Sequence, residues 1–273
     1  MNSITSGQNP VVKEIRALKN RKDREERGLF FIEGIRIVEE ALSARVPIKY
    51  AVLSETFAAG SGRNTDARLE AAGAKTYTVP DGLFEALGET KTPQGLLAVL
   101  ESREQRLGDA QLSGGLFVLL ENIRDPGNMG TIIRTADAAG FSGVVVTGGC
   151  VDVYNPKVLR STMGSVFHIP VFHHDDVADA ISLFKLNGVR VAASHISGDR
   201  TIYETDLTLP TVLIIGSEAE GISREAEEAS DLLVRIPMPG RAESLNASVA
   251  AGVMMYEALR QRLARSSRAV PFA

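Results

Sequence analysis

One cysteine, Cys150, stands in 273 residues, so no disulfide can form within the chain. A reducing setting suits that, and a cytoplasmic location is expected. Tryptophan is absent, and the five tyrosines and ten phenylalanines form no clustered platform for stacking bases. Four histidines (His168, His173, His174 and His195) and the single cysteine show no metal-ligand spacing. His173 and His174 precede Asp175 and Asp176. A zinc site can be read there, but a solvated loop start is the preferred reading, and no metal is expected. No apolar run approaches the roughly 20 residues of a membrane span. The N-terminal stretch Met1–Pro10 lacks the charged-then-apolar pattern of an export signal, so no membrane partner is expected. The net charge is -4 and lacks the basic excess of many nucleic-acid binders, so any such contact must come from a local patch. No Gly-x-Gly-x-x-Gly follows a strand, and neither the phosphate-loop pattern nor the Gly-x-Ser-x-Gly elbow of the hydrolases occurs.

Apolar residues at 44% and charged residues at 23% give the balance of a soluble globular protein of one large or two ordinary domains. Residues 1–104 alternate helix and strand. A helix is expected over Pro10–Lys22, with Val11, Val12, Ile15 and Leu18 on one side. Strands are expected at Gly28–Ile32, Ile48–Leu53, Lys75–Val79 and Gln94–Leu100, with helices between them. The polar stretch after Glu101 and the flexible Ser113–Gly115 suggest a linker over 105–115. A second α/β unit is expected over 116–265, followed by a loose tail over 266–273. Its strands, such as Val144–Val146 and Val212–Ile215, are apolar without alternation, as in a parallel sheet covered on both faces. Both units are therefore α/β.

Ligands of parallel α/β sheets bind beyond the carboxyl ends of the strands. Three strand exits there are rich in glycine, proline and polar residues. The first runs from Leu120 through Pro126 and Gly127 into a helix with Ile132, Ile133 and Ala136 inward. Asn128 stands at the expected N-cap, and Arg134 lies off the inward stripe, where an i,i+3 surface pair with Asp137 is the plain alternative. The second, Val212–Ser223, has Gly216 ending a buried strand and Gly221 turning the chain toward a helix capped by Ser223. Glu218 within it reads as solvated or as part of a site. The third, Ile236–Tyr256, turns through two prolines and a glycine. It then enters a helix expected over Ser244–Ala264 that is apolar on nearly every face and therefore buried. Glu243, Ser244 and Asn246 stand at its mouth, and buried Ser and Asn need partners or a purpose. Residue pattern alone leads to a ligand-binding α/β enzyme.

These three stretches, Glu121–Ala136, Ile215–Ile222 and Ile236–Met238 with Glu243–Ala250, resemble in order, spacing and residue type the three motifs of the SpoU (TrmH-like) branch of the SPOUT RNA methyltransferases. Asp152–Arg160 and Ser165–Pro170 also look familial, and the resemblance spans about residues 115–264. The front unit, with Phe31–Arg36, is similar to the family's small RNA-binding domain, related to a ribosomal-protein fold. The resemblance implies a catalytic domain with a mostly parallel sheet and a C-terminal trefoil knot. It implies a homodimer through the first and last helices of that domain. The implied reaction is methyl transfer from S-adenosylmethionine to a ribose 2′-hydroxyl of RNA, with ribosomal RNA preferred. Transfer RNA, methylation of a base nitrogen, and an idle RNA-binding assembly factor are the alternatives.

Carried over by position, the implied catalytic set is Asn128, Arg134, Glu218, Ser244 and Asn246. The cofactor would rest on Gly216, Ile236, Met238 and Leu245, with Thr147 and Gly148 nearby. For Arg134 a bidentate grip on a phosphate is easier to defend than the role of base, because a guanidinium holds its proton up to a pH of about 12 or above. Lys13, Arg16 and Lys19, with Arg36, are the candidate RNA contacts. They belong to an early basic run interleaved with Glu14, Asp23, Glu25 and Glu26, which reads equally as a solvated helix.

Overall fold

A computed structural model describes residues 2–60, 62–102, 105–109 and 112–268. The chain divides into two compact units: residues 1–103 with 152–168, and residues 104–151 with 169–273.

The first unit is built on strands β1 (Asn2–Ser3), β2 (Leu29–Glu33), β3 (Ile48–Ser54), β4 (Lys75–Val79) and β5 (Leu96–Glu101). Their order is β1-β4-β3-β5-β2, with β1, β4 and β3 parallel and β5 antiparallel to both β3 and β2. Successive side chains point to opposite faces of a strand. Phe31, Tyr50, Val52, Leu97 and Val99 accordingly meet Val12, Ile15 and Leu18, and Phe84 and Leu87. Phe30, Ile32, Ala51, Leu53 and Ala98 fill the other face with Val38, Ala41 and Leu69. The expected helix over Pro10–Lys22 is two helices, α1 (Pro10–Ala17) and α2 (Arg21–Arg27). Asn9 caps α1 through the Val11 N–H at 2.9 Å, and Pro10 occupies its first position, which has no intrahelical use for an N–H. Leu18, buried in the core, is its C-cap, and its N–H donates to the Glu14 and Arg16 carbonyls. Helices α3 (Ile35–Ser43), α4 (Glu55–Ala59), α5 (Gly62–Ala71) and α6 (Asp81–Leu87) complete the front part.

The second unit holds one eight-stranded sheet. It begins with β6 (Gln105–Arg106), β7 (Leu116–Leu120), α7 (Pro126–Ala138) and β8 (Gly143–Val146). Residues 105–115 are thus not the free linker expected. Gln105 and Arg106 pair with a strand of this sheet, and Leu107 and Leu112 are buried in its core. Two leucines among polar neighbours supply that burial. The chain then leaves the sheet. Residues 152–168, with α8 (Pro156–Thr162), belong to the first unit, so the second is not the continuous 116–265 of the sequence reading. Tyr154 stacks on Phe30 at 4.4 Å between ring centroids, and Leu159, Val166 and Phe167 join that apolar cluster. The Asp152 carboxylate also pairs with the buried Arg24 guanidinium, whose Nε lies 2.9 Å away. These apolar and ionic contacts draw the segment out.

The sheet resumes with β9 (Val171–His173), α9 (Val177–Leu186), β10 (Arg190–Ser194), β11 (Arg200–Thr201), β12 (Thr211–Ile215), α10 (Arg224–Ala229), β13 (Leu232–Arg235) and α11 (Ala247–Arg268). The strand order is β11-β13-β10-β12-β7-β8-β9-β6, and every pairing is parallel. Its core centres on Phe117, Leu119, Phe172, Phe184, Val191 and Val212. Two expectations about α11 are corrected. It is not buried all round: Ala251, Met254, Met255 and Ala258 are buried, but Val249, Tyr256 and Leu263 are about half exposed. The helix also continues to Arg268, beyond the expected end; the rest of the expected tail, 269–273, lies outside the described residues.

Candidate active site

Strands β10, β12 and β13 are neighbours, and all three run toward the same edge. Their exits, with the start of α11, enclose a cavity of about 330 Å³. Gly216, directly after β12, sits where no side chain fits. A Cβ there would lie 2.1 Å from the Gly221 backbone carbonyl. The residues after it form a tight loop closed by two backbone bonds, Ser217 N–H to Gly221 O at 3.1 Å and Gly221 N–H to Ser217 O at 3.0 Å. Gly221 takes a left-handed φ of 70°, and the Ser217 hydroxyl oxygen accepts from the Glu220 N–H at 3.2 Å. The loop therefore holds Glu218 at the cavity by its own backbone.

One oxygen of Glu218 accepts from the side-chain amide of Asn128 and, at 3.5 Å, from that of Asn246. The Asn246 amide also donates to the Asn128 Oδ1 at 2.9 Å. Residues far apart in the chain thus form one polar network. Asn128 follows β7 and Glu218 follows β12, adjacent strands where the strand order reverses. Asn246 has a second use: its Oδ1 accepts from the Ser248 N–H at 3.0 Å and the Val249 N–H at 3.3 Å, capping α11. That helix starts three residues later than expected because Ser244–Asn246 form its lead-in. Asn128 is not the N-cap of α7. Asp125 is, accepting from the Asn128 N–H at 2.8 Å, with Pro126 first in the helix. This frees the Asn128 side chain, buried to 9% exposure, for the network.

The cavity wall includes Gly216, Glu218, Ile236, Met238, Ser244 and Leu245, six of the residues expected at a site. Thr147 and Gly148 are not among the lining residues. The Thr147 hydroxyl is turned to the Leu120 carbonyl at 3.0 Å, and Gly148 is pressed against the Asp175 carbonyl. Arg134 does not line it either. It is exposed on α7 without a hydrogen bond or ion pair among the described residues, so the alternative pair with Asp137 is not formed. Six residues of helix place it roughly 120° around the axis from Asn128. Sequence reasoning passed over Ser194, His195 and Ile196, which line the cavity from the β10 exit. Their signal was present: Ser194–Gly198 is also a polar, glycine-bearing exit from a buried strand. Cys150 is packed away, and burial pushes its thiol up from the ordinary range, so it supplies no nucleophile. No cluster of three or more His, Cys, Asp or Glu able to hold a metal occurs among the described residues.

In the front unit the basic run is largely spent. Arg21, Lys22 and Arg27 pair with Glu25, Glu26 and Asp23 at i,i+4 along α2. Arg16 donates to the Gly7 carbonyl at 3.3 Å and Lys19 to the Gly88 carbonyl at 3.0 Å. Lys13 and Arg36 are exposed and carry no pair among the described residues.

Residues 115–256 match the SpoU rRNA Methylase family. The chain belongs to that family. Residues 9–98 match an MRM3-like substrate binding domain. Among relatives, the 23S rRNA (guanosine(2553)-2′-O)-methyltransferase RlmP of Bacillus subtilis is 35% identical over 94% of this chain and 98% of its own length. The 23S rRNA (uridine(2479)-2′-O)-methyltransferase of Streptomyces viridochromogenes is 33% identical over 93% and 90% of the two chains. An AdoMet-bound rRNA methyltransferase from Sinorhizobium meliloti has a similar structure, with a TM-score of 0.86 and 36% identity, covering 95% of this chain and 97% of the other. This SpoU methylase is thus an RNA 2′-O-ribose methyltransferase with S-adenosylmethionine as cofactor.

The cavity's residues fit that cofactor. Its volume falls at the small end of the roughly 300–1,000 Å³ usual for ligand pockets. Ile215, Ile222, Ile236, Met238 and Leu245 offer an apolar floor. Glu218 and Glu220 are its charged lining residues, with no lysine or arginine, which suits a ligand bearing a sulfonium cation. The missing Cβ at Gly216 lets the Gly221 and Ile222 backbone fold back against it, which shapes the loop that bounds the cavity.

Proposed function

We propose that this SpoU methylase transfers the methyl group to a 2′-hydroxyl in ribosomal RNA, with the cavity beyond β10, β12 and β13 as its cofactor site. The network joining Asn128, Glu218 and Asn246 beside that cavity carries the assignment. Gly216, Ile236, Met238 and Leu245 hold the cofactor, and Ser244 stands on the same wall. When bound, S-adenosylmethionine supplies an activated methyl on sulfur. What remains for the chain is to align a ribose oxygen and help its proton leave. Asn128 and Asn246 present amide groups to that ribose. Glu218 fixes both amides by accepting from them. Arg134 grips the neighbouring phosphate through two parallel hydrogen bonds.

Arg134 stands on the open side of α7, away from its own chain's cavity. A second copy of the chain completes the site by supplying it. The dimer forms through α7 and α11, which pack together. Val249, Tyr256 and Leu263 support this reading, because exposed apolar residues seven apart form one stripe along a helix. The knot belongs to the same stretch: α11 returns to pack on α7 and β12. The front unit binds the RNA, with Lys13, unpaired among the described residues, beside Arg16 and Lys19 at α1, and Arg36, likewise unpaired, at the start of α3 on the sheet's other face. The working compartment is the cytoplasm. Mapping 2′-O-methylation of ribosomal RNA treated with the full chain and S-adenosylmethionine tests the function. One new 2′-O-methylated nucleotide is expected; a methylated base, or methylation of transfer RNA alone, would overturn it.

A further inference from the structure

The exit of β10 brings to the cavity a histidine that neither the motifs nor the polar network uses. The backbone around it is fixed. The His195 N–H donates to the Val234 carbonyl at 2.9 Å, and the His195 carbonyl accepts from the Gly198 N–H at 3.1 Å. Gly198 is wedged against β13, where a Cβ would lie 2.8 Å from the Leu233 carbonyl oxygen. The ring is fixed as well. Its Nδ1 lies 3.2 Å from the backbone nitrogen of Ser197. A backbone N–H can only donate, so Nδ1 is the acceptor and the neutral ring carries its proton on Nε2. No protein acceptor faces Nε2 among the described residues, and the residue lines the cavity.

The rest of the wall makes this donor distinctive. Ser194, Ser217 and Ser244 are hydroxyls, and Ser217 is engaged with the loop backbone. Glu218 and Glu220 are acceptors when ionised, matched to the sulfonium and ammonium of S-adenosylmethionine. His195 is the side-chain N–H donor among the lining residues, and the oxygens of that ligand are what such a donor recognises. We propose that His195 binds the cofactor by donating from Nε2 to one of its oxygens, in the ribose or the methionine carboxylate. The inference rests on the cavity being the S-adenosylmethionine site.

Calorimetry of the full chain with S-adenosylhomocysteine tests it. His195→Phe keeps a ring and removes the donor; Kd is expected to rise about tenfold, the usual scale of one hydrogen bond of this kind. The KM for S-adenosylmethionine should rise by the same factor, with kcat at saturation changed less than twofold. His195→Gln restores an N–H and should recover most of the affinity. With 5′-methylthioadenosine, which lacks the carboxylate, persistence of the loss in His195→Phe assigns the ribose, and its disappearance assigns the carboxylate. A Kd within twofold of the native value in His195→Phe, or Gln binding as weakly as Phe, overturns the proposal while the cavity assignment stands. His195→Leu is the second donor-free variant should the Phe protein not fold. Absence of binding by the native chain overturns both.

Discussion

Gly216→Ala asks whether the loop after β12 is the cofactor's seat. A Cβ at Gly216 would stand 2.1 Å from the Gly221 carbonyl carbon and oxygen and 2.4 Å from the Ile222 nitrogen, where ordinary contact begins near 3.4 Å. Something must retreat by roughly 1 Å. Ile214 and Ile215 are fully or nearly buried in the sheet, so β12 holds its place and the 217–221 loop gives way. Overpacking of this kind costs about 1–3 kcal/mol. Replacing glycine also restricts the unfolded chain, which favours folding by about 0.4–1 kcal/mol. The clash wins. The melting temperature should fall by a few degrees, at about 2–4 °C per kcal/mol for a domain of this size. The larger effect is on the site, because the loop carries Glu218 out of reach of Asn128 and Asn246. Misplacement by about 1 Å can cost on the order of 100-fold in rate. Calorimetry with S-adenosylhomocysteine should show Kd raised at least about tenfold, a 1.4 kcal/mol effect, and transfer should fall further. Gly82→Ala is the control, since nothing lies within 4 Å of a Cβ there and the residue is helical. If Gly216→Ala binds cofactor within twofold of the native protein, the loop is not the seat.

Arg134→Ala should abolish methyl transfer and leave cofactor binding intact; substantial residual transfer would remove Arg134 from the reaction. The triple change of Lys13, Arg16 and Lys19 to Ala should weaken RNA binding and flatten its salt dependence, read by filter binding at two salt concentrations. Unchanged affinity would count against that face. Asp152→Ala leaves the Arg24 guanidinium, 4% exposed, without its counter-charge. Breaking such a pair costs about 3–5 kcal/mol, read as a lower midpoint in urea. A loss under about 1 kcal/mol would mean the pair holds little of the first unit together.

Much was legible because local chemistry carried it. Unbroken apolar runs such as Val212–Ile215 gave a parallel sheet, and all its pairings are parallel. The glycines after those runs marked the exits that enclose the cavity. The true cap of α7 was also within reach, since Asp125 before Pro126 is the usual order of a helix start. Asn128 looked like a cap because its residue type suits one, and only the helix phase showed its side chain turned to Glu218. The break after Ala17 was hidden because charged residues continue a helical pattern on both sides of Leu18.

The sequence alone determined two α/β units and the polar, glycine-rich strand exits, because period, glycine and proline act within a few residues. The methyl-transfer roles of the residues there came from the resemblance of the three motifs. Tertiary structure decided which of those residues meet. Asn128, Glu218 and Asn246 share one network across 118 residues of chain, Arg24 finds Asp152 across 128, and His195 reaches the cavity because β10 lies between β12 and β13. Such meetings depend on strand order, which no local pattern encodes. Tertiary structure also withdrew Thr147 and Gly148 from the cavity and left Arg134 facing outward, because the direction of a side chain is set by the packing of its whole element.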